Sequence, residues 1–136
     1  MSEEVQKRFT YYGQKDRTAR GEITHLRFVI SDFKFDDDTH KECALVVNMT
    51  SCHNSSKDDK TCLLHPGDHE DVIHDSYIEY SMAERVEKSY ILENIEKGFF
   101  VPRELISESL LKRMQEGVLS RLDDMPEFVE SYLDVF

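Results

Sequence analysis

Apolar positions alternate with polar ones, or gather in short runs, over the first two-thirds of the chain, and they recur at helical spacing only towards its end. The run EITHLRFVIS, residues 22–31, alternates imperfectly and is rich in β-branched and aromatic residues, which predicts a strand and a central one. CALVVNMT, residues 43–50, is a short continuous apolar run of the kind that makes a buried strand. The two strands are expected to pair, with the charged DFKFDDDTHKE between them as a hairpin loop. SCHNSSKDDK reads as a long exposed loop, TCLL as another short strand, and Pro66-Gly67 as the turn that ends it. DSYIEYSMAERV, residues 75–86, alternates well enough for one further strand, with Tyr77 and Glu79 on one face and Ile78 and Tyr80 on the other.

The periodicity then changes. Tyr90, Ile91, Asn94 and Ile95 predict a short helix over 89–97 that Gly98 terminates. Ser107 reads as an N-cap with Glu108 in the first turn, and Leu110, Leu111, Met114 and Val118 form an apolar stripe that Gly117 is expected to stop. A last amphipathic segment starts near Pro126 and buries Phe128, Val129, Tyr132, Leu133 and Phe136. Residues 1–20 are polar apart from Phe9, Tyr11 and Tyr12, so a mobile start followed by an edge element or arm is expected there. These elements predict a single α+β domain over residues 1–136, with its main helices over 107–136.

Composition changes this picture in three respects. The 136 residues fit one domain, and no apolar run approaches the roughly 20 residues that cross a bilayer, so no membrane partner and a cytoplasmic location are expected. The three cysteines, Cys43, Cys52 and Cys62, are an odd number, which suits a reducing compartment better than a disulfide framework. The net charge of −11 repels nucleic acid at long range and weighs against a nuclease. The charge is nevertheless asymmetric along the chain: Lys7, Arg8, Lys15, Arg17, Arg20 and Arg27, the candidates for a local basic patch, all precede the acidic run Asp36, Asp37 and Asp38.

Three segments carry a resemblance to a known family. HLRFVIS (25–31), VVNMTS (46–51) and HDSYIEYSMAERVEKSYI (74–91) follow the strand order of the PemK/MazF-like toxins, and the helix expected over 107–117 falls where that family has its C-terminal helix. The segment from Cys62 to Tyr80 also resembles bacterial proteins that share C-x-L-x-P-G-D-H followed by H-D-S-Y-x-x-Y. The resemblance implies a small antiparallel SH3-like barrel, usually a homodimer, acting as an endoribonuclease on single-stranded RNA without metal or other cofactor. RNA and an antitoxin or other protein are the implied partners. Two departures stand out: the family's Arg-Pro pair is His25-Leu26 here, with Arg27 one residue further on, and its Gly-rich basic first loop has no clear counterpart.

Cleavage through the ribose hydroxyl needs a base, an acid and donors for the charge that develops on phosphorus. In the family pattern the strand bearing residue 25 lies beside the strand end bearing Thr50, so His25, Arg27 and Thr50 are the catalytic candidates, with Ser51, His69 and Tyr77 as binding candidates. The bland alternative leaves His25 and Arg27 on a solvated strand face and Thr50 on a loop backbone group. Cys62, His65, His69 and His74 are chemically adequate for a tetrahedral metal, yet their spacing matches no standard zinc knuckle, and a small buried Cys62 with His69 or His74 bonding the loop backbone is the better reading. Adjacent Cys52 and His53 are expected to point apart, and the acidic run at 36–38 reads as a solvated loop. Two further functions compete with the endoribonuclease: a noncatalytic barrel of the same group that binds protein or nucleic acid in a toxin–antitoxin or phage-defence setting, and a small metalloprotein.

Overall fold

The computed structural model describes residues 4–13, 25–53 and 56–136 in full and the backbone of 16–18 and 21–23. Lys15 and Arg20, and the side chain of Arg17, therefore lie outside the described residues. The strands are β1 (Thr10–Tyr12), β2 (Asp16–Thr18), β3 (Gly21–Ile23), β4 (Leu26–Val29), β5 (Lys34–Asp36), β6 (Lys41–Ser51), β7 (Leu63–Leu64), β8 (Ser76–Ile78), β9 (Glu84–Glu87) and β10 (Val101–Arg103). The helices are α1 (Lys88–Glu96) and α2 (Glu108–Arg121), and a long 3₁₀ segment runs over Glu127–Val135. The fold is α+β, as the sequence predicts.

The eleven-residue β6 is the spine of an antiparallel sheet of eight strands. On one side it pairs with β4 and β5, on the other with β8 and β9, and the path runs β10-β1-β4-β6-β8-β7. The path is open: among the described residues no pairing joins β7 to β10. β2 and β3 form a separate two-stranded ribbon inserted between β1 and β4.

The apolar run of β6 is continuous because both faces of the spine are covered. Cys43, Leu45 and Val47 point into the main core with Leu26, Phe28, Ile78, Leu110, Met114, Val118 and Tyr132. Ala44 and Val46 point the other way, to a second cluster with Phe9, Tyr11, Val29, Val86, Ile91 and Phe100. Pleat alternation along one strand thus separates two cores.

The expected single strand over 22–31 is divided: Gly21–Ile23 belongs to the ribbon and Leu26–Val29 to the main sheet, with His25 at the break. The expected strand over 75–86 is also divided. Ile78 pairs with Met49 and Glu84 with Val46, so residues 79–83 stand opposite only 47–48, and a 3₁₀ turn at Tyr80–Met82 takes up the excess.

The expectation of an arm at the start is corrected. β1 lies between β4 and β10, and Phe9 and Tyr11 are buried, because a short aromatic strand gains more from the second core than from solvent. Gly117 does not stop α2, which continues to Arg121; the residue is buried against the Tyr80 ring, whose hydroxyl donates to Met114 O at 2.9 Å. Ser107 caps α2 as expected, accepting from the Leu110 N–H at 3.1 Å, and Gly98 ends α1 with φ +79°.

Asp36 is not part of a solvated loop. Its carboxylate is buried and accepts from the Tyr132 hydroxyl (2.8 Å), the N–H groups of Asp38 and Thr39 (3.0 Å each) and Arg85 (3.4 Å). This cluster ties the C-terminal 3₁₀ segment to the β5–β6 hairpin. No helix among the described residues is long and apolar enough to cross a membrane.

Candidate functional site

Where β4 begins and β6 ends, the sheet opens into a cleft of about 270 Å³ whose walls include Tyr12, His25, Thr50, Ser51, His53 and His74. His25 sits just before the first paired residue of β4, and its Nδ1 lies 3.1 Å from Met49 O. A carbonyl only accepts, so Nδ1 carries the proton and Nε2 is the basic nitrogen of the neutral ring. His74 comes from the segment leading into β8, and its Nε2 lies 2.6 Å from Ser51 Oγ on the last residue of β6. Thr50 Oγ1 is buried and has no hydrogen-bond partner. Imidazoles from three segments thus line one cleft, and one of them, His74, meets a hydroxyl there; such groups are able to accept and return protons.

One wall of this cleft is held by charge. Arg103 on β10 grips Asp71 through two bonds of 2.7 and 2.8 Å and lies 5.9 Å from the centre of the Tyr12 ring. The Arg103 bonds hold the Asp71 carboxyl below the usual carboxylate range, and Asp71 in turn keeps Arg103 charged. Burial and the Asp71 charge push the Tyr12 hydroxyl up, with Arg103 opposing.

The catalytic grouping expected from the sequence is only partly assembled. His25 and Thr50 line the same cleft, but Arg27 lines another, of about 450 Å³, with Tyr11, Tyr90 and Phe100. The cause is the pleat: Leu26 and Phe28 face the main core, so Arg27 falls on the face of Tyr11 and Val29, while His25 precedes the paired strand and escapes that alternation. Of the binding candidates, Ser51 is in the cleft. Tyr77 is buried within β8 between β6 and β7 and offers no stacking surface.

His69 is also a correction as a binding residue. It is 4% exposed, its Nδ1 accepts from the Asp71 N–H at 3.0 Å, and its Nε2 donates to Glu104 O at 2.6 Å. Both ring nitrogens are spent on backbone groups and the ring stands edge-on to Phe28, so this histidine is a staple between the 69–71 turn and residue 104.

The four metal candidates separate in the same way. Cys62 is buried in the main core, His65 Nδ1 bonds Asp75 Oδ1 at 2.9 Å, His69 holds Glu104, and His74 meets Ser51. Among the described residues no three His, Cys, Asp or Glu side chains gather as a cation site. Cys52 and His53 do diverge as expected: His53 lines the cleft of His25, and Cys52 a second one behind the same ladder.

Sequence reasoning missed the Ser51–His74 and His65–Asp75 pairs. Register brings them together: β8 runs antiparallel to both β6 and β7, with Ser76 opposite Ser51 on one side and Leu64 on the other. The H-D-S order of residues 74–76 is the single local signal that pointed there. Comparison with known proteins gives no match: no family model, no curated protein and no solved structure matches the chain.

Proposed function

We propose that the chain is a toxin-like endoribonuclease of the PemK/MazF-like group, built on an SH3-like barrel, that cleaves single-stranded RNA without a metal ion. The observation that carries this reading is the convergence of His25 and His74 on one cleft, together with Ser51 and Thr50. His25, its tautomer fixed by Met49 O, takes the proton of the ribose 2′-hydroxyl through Nε2. The 2′-oxygen attacks phosphorus and the bond to the 5′-oxygen breaks. His74 in its charged form returns a proton to the leaving oxygen through the Ser51 hydroxyl 2.6 Å away. Thr50 lines the cleft, and its Oγ1, buried at rest without a partner, turns outward to donate to a non-bridging phosphate oxygen. Arg27 stands outside this scheme and is replaced in it by His74. An antitoxin or other protein partner and a homodimer belong to the same proposal.

The test is cleavage of a mixed-sequence RNA in EDTA by the wild type and by His25→Ala and His74→Ala. Each substitution is expected to lower the rate by about 100-fold or more, the range of general acid–base catalysis, with an unchanged melting temperature. Wild-type inactivity on every RNA would remove the enzyme reading.

A second reading, a noncatalytic barrel that binds a protein, is favoured by one observation. Of the eight large apolar side chains exposed among the described residues, four, Tyr90, Leu92, Phe99 and Val101, fall within one stretch that runs from α1 through the turn after it to the start of β10. Under that reading the native host yields a stoichiometric partner, and charges introduced at Phe99 and Val101 release it.

A further inference from the structure

The end of the β6–β8 ladder sends side chains in two directions. Ser51 and His74 go to the cleft described above, while the next residues, Cys52 and Asp75, go to a cleft of about 370 Å³ behind it. The Cys52 N–H donates to Asp75 O at 3.0 Å, which fixes these two residues beside one another. A third element completes the group. His65 follows β7, its N–H donates to Asp68 Oδ2 at 2.8 Å, and its Nδ1 lies 2.9 Å from Asp75 Oδ1. A carboxylate accepts, so Nδ1 carries the proton and Nε2 is the basic nitrogen, as in any histidine oriented by an acid. Leu63 gives the cleft an apolar wall and Lys60 an ammonium group.

We propose that this cleft is a second, thiol-dependent site in which Cys52 accepts the acyl group of a small thioester, with His65 as its base and Asp75 as the residue that orients His65. A nucleophile, a base and an orienting acid from three separate segments line one cavity; no hydrogen bond joins Cys52 Sγ to His65 at rest, so the thiol and the imidazole close up when the thioester binds. The volume is in the range of small-molecule sites and far too small for a folded partner. Burial and the carboxylates of Asp58 and Asp75 push the Cys52 thiol up, so the sulfur is protonated at rest and needs a base at the moment of attack. The site is independent of the RNA cleft and holds whether or not RNA is cleaved there.

In the reaction His65 Nε2 takes the thiol proton as Cys52 Sγ bonds to the thioester carbonyl carbon. The bond from that carbon to the leaving sulfur breaks, and the leaving sulfur takes the proton from His65. Water, giving a proton to His65, then attacks the acyl-Cys52 carbonyl; the carboxylic acid departs and Cys52 Sγ regains its proton.

The test uses the acetyl thioester of N-acetylcysteamine at neutral pH, with intact-mass and peptide mapping of the full chain. Cys43 and Cys62 are 1% and 4% exposed and serve as internal controls. Acetylation is expected at Cys52 alone, absent in Cys52→Ala, slower by about 100-fold in His65→Ala and by about tenfold in Asp75→Asn. Alkylation by iodoacetamide should follow the same order, with unchanged circular dichroism in every variant. Equal rates of acetylation and alkylation in the wild type and in His65→Ala would overturn the proposal, as would an acyl group spread over lysines with none on Cys52.

Discussion

Replacing Gly117 by alanine sets two physical effects against each other, and the structure decides the sign. In an exposed helix the change gains about 1 kcal/mol of helix propensity. Here a Cβ at residue 117 would lie 2.0 Å from Tyr80 Oη and 2.5 Å from its Cζ. Tyr80 cannot retreat freely, because it is fully buried in the main core and its hydroxyl is bonded to Met114 O. Overpacking of this kind costs about 1–3 kcal/mol, and displacing the hydroxyl gives up a hydrogen bond of about 1 kcal/mol inside the core. The balance is a loss of about 1–3 kcal/mol, or a fall of about 3–9 °C in Tm for a domain of this size. The assay is thermal and urea unfolding of the wild type, Gly117→Ala, Tyr80→Phe and the double variant. Removing the hydroxyl removes the closest contact, so Gly117→Ala is expected to cost less in the Tyr80→Phe background than in the wild type. A rise in Tm on Gly117→Ala, or an equal cost in both backgrounds, would refute the packing argument and restore Gly117 as an ordinary helix glycine.

Two further outcomes are expected. Burial by itself would raise the Asp36 carboxyl, but the Tyr132 hydroxyl, the Thr39 N–H and the Arg85 charge outweigh it and hold the group below its ordinary value. A depressed carboxyl contributes stability that is present above its unfolded value of about 4 and lost as pH falls through the lower folded value. Urea midpoints measured from neutral pH down through that window should therefore fall less steeply for Asp36→Asn than for the wild type, and parallel curves would contradict the role given to this cluster. His69→Ala should destabilise the fold by about 2–4 kcal/mol in chemical denaturation, since the Asp71 N–H and Glu104 O lose their partner in a buried place. Any RNA cleavage should persist in that variant below its Tm; loss of cleavage without loss of stability would return His69 to the binding residues.

The elements that follow from local chemistry were legible in the sequence. The Ser107 cap, the Gly98 stop and the buried run of β6 each depend on a residue and its near neighbours, so one sequence is sufficient to find them. The apolar run even signalled that both faces of β6 are covered, although not by what. The nearness of His25 to Thr50 was expected from the strand order of the resembled family, and the antiparallel pairing of β4 with β6 brings both to one cleft.

What the tertiary structure decided was everything set by register and by long-range approach. Arg27 was separated from His25 by the pleat, and His74 was brought to Ser51 by the antiparallel ladder between β6 and β8. Asp36 lies in an acidic run that any sequence reading leaves in solvent, yet Tyr132, 96 residues on, buries it and bonds it. Gly117 looked like a helix stop because glycine often is one; it is a clearance for Tyr80, a residue on another element. Side-chain type and spacing determine which elements form and which groups are available for chemistry, since those are local energies. Which groups meet is determined by how the elements stack, where one residue of register or one missing Cβ changes the partner.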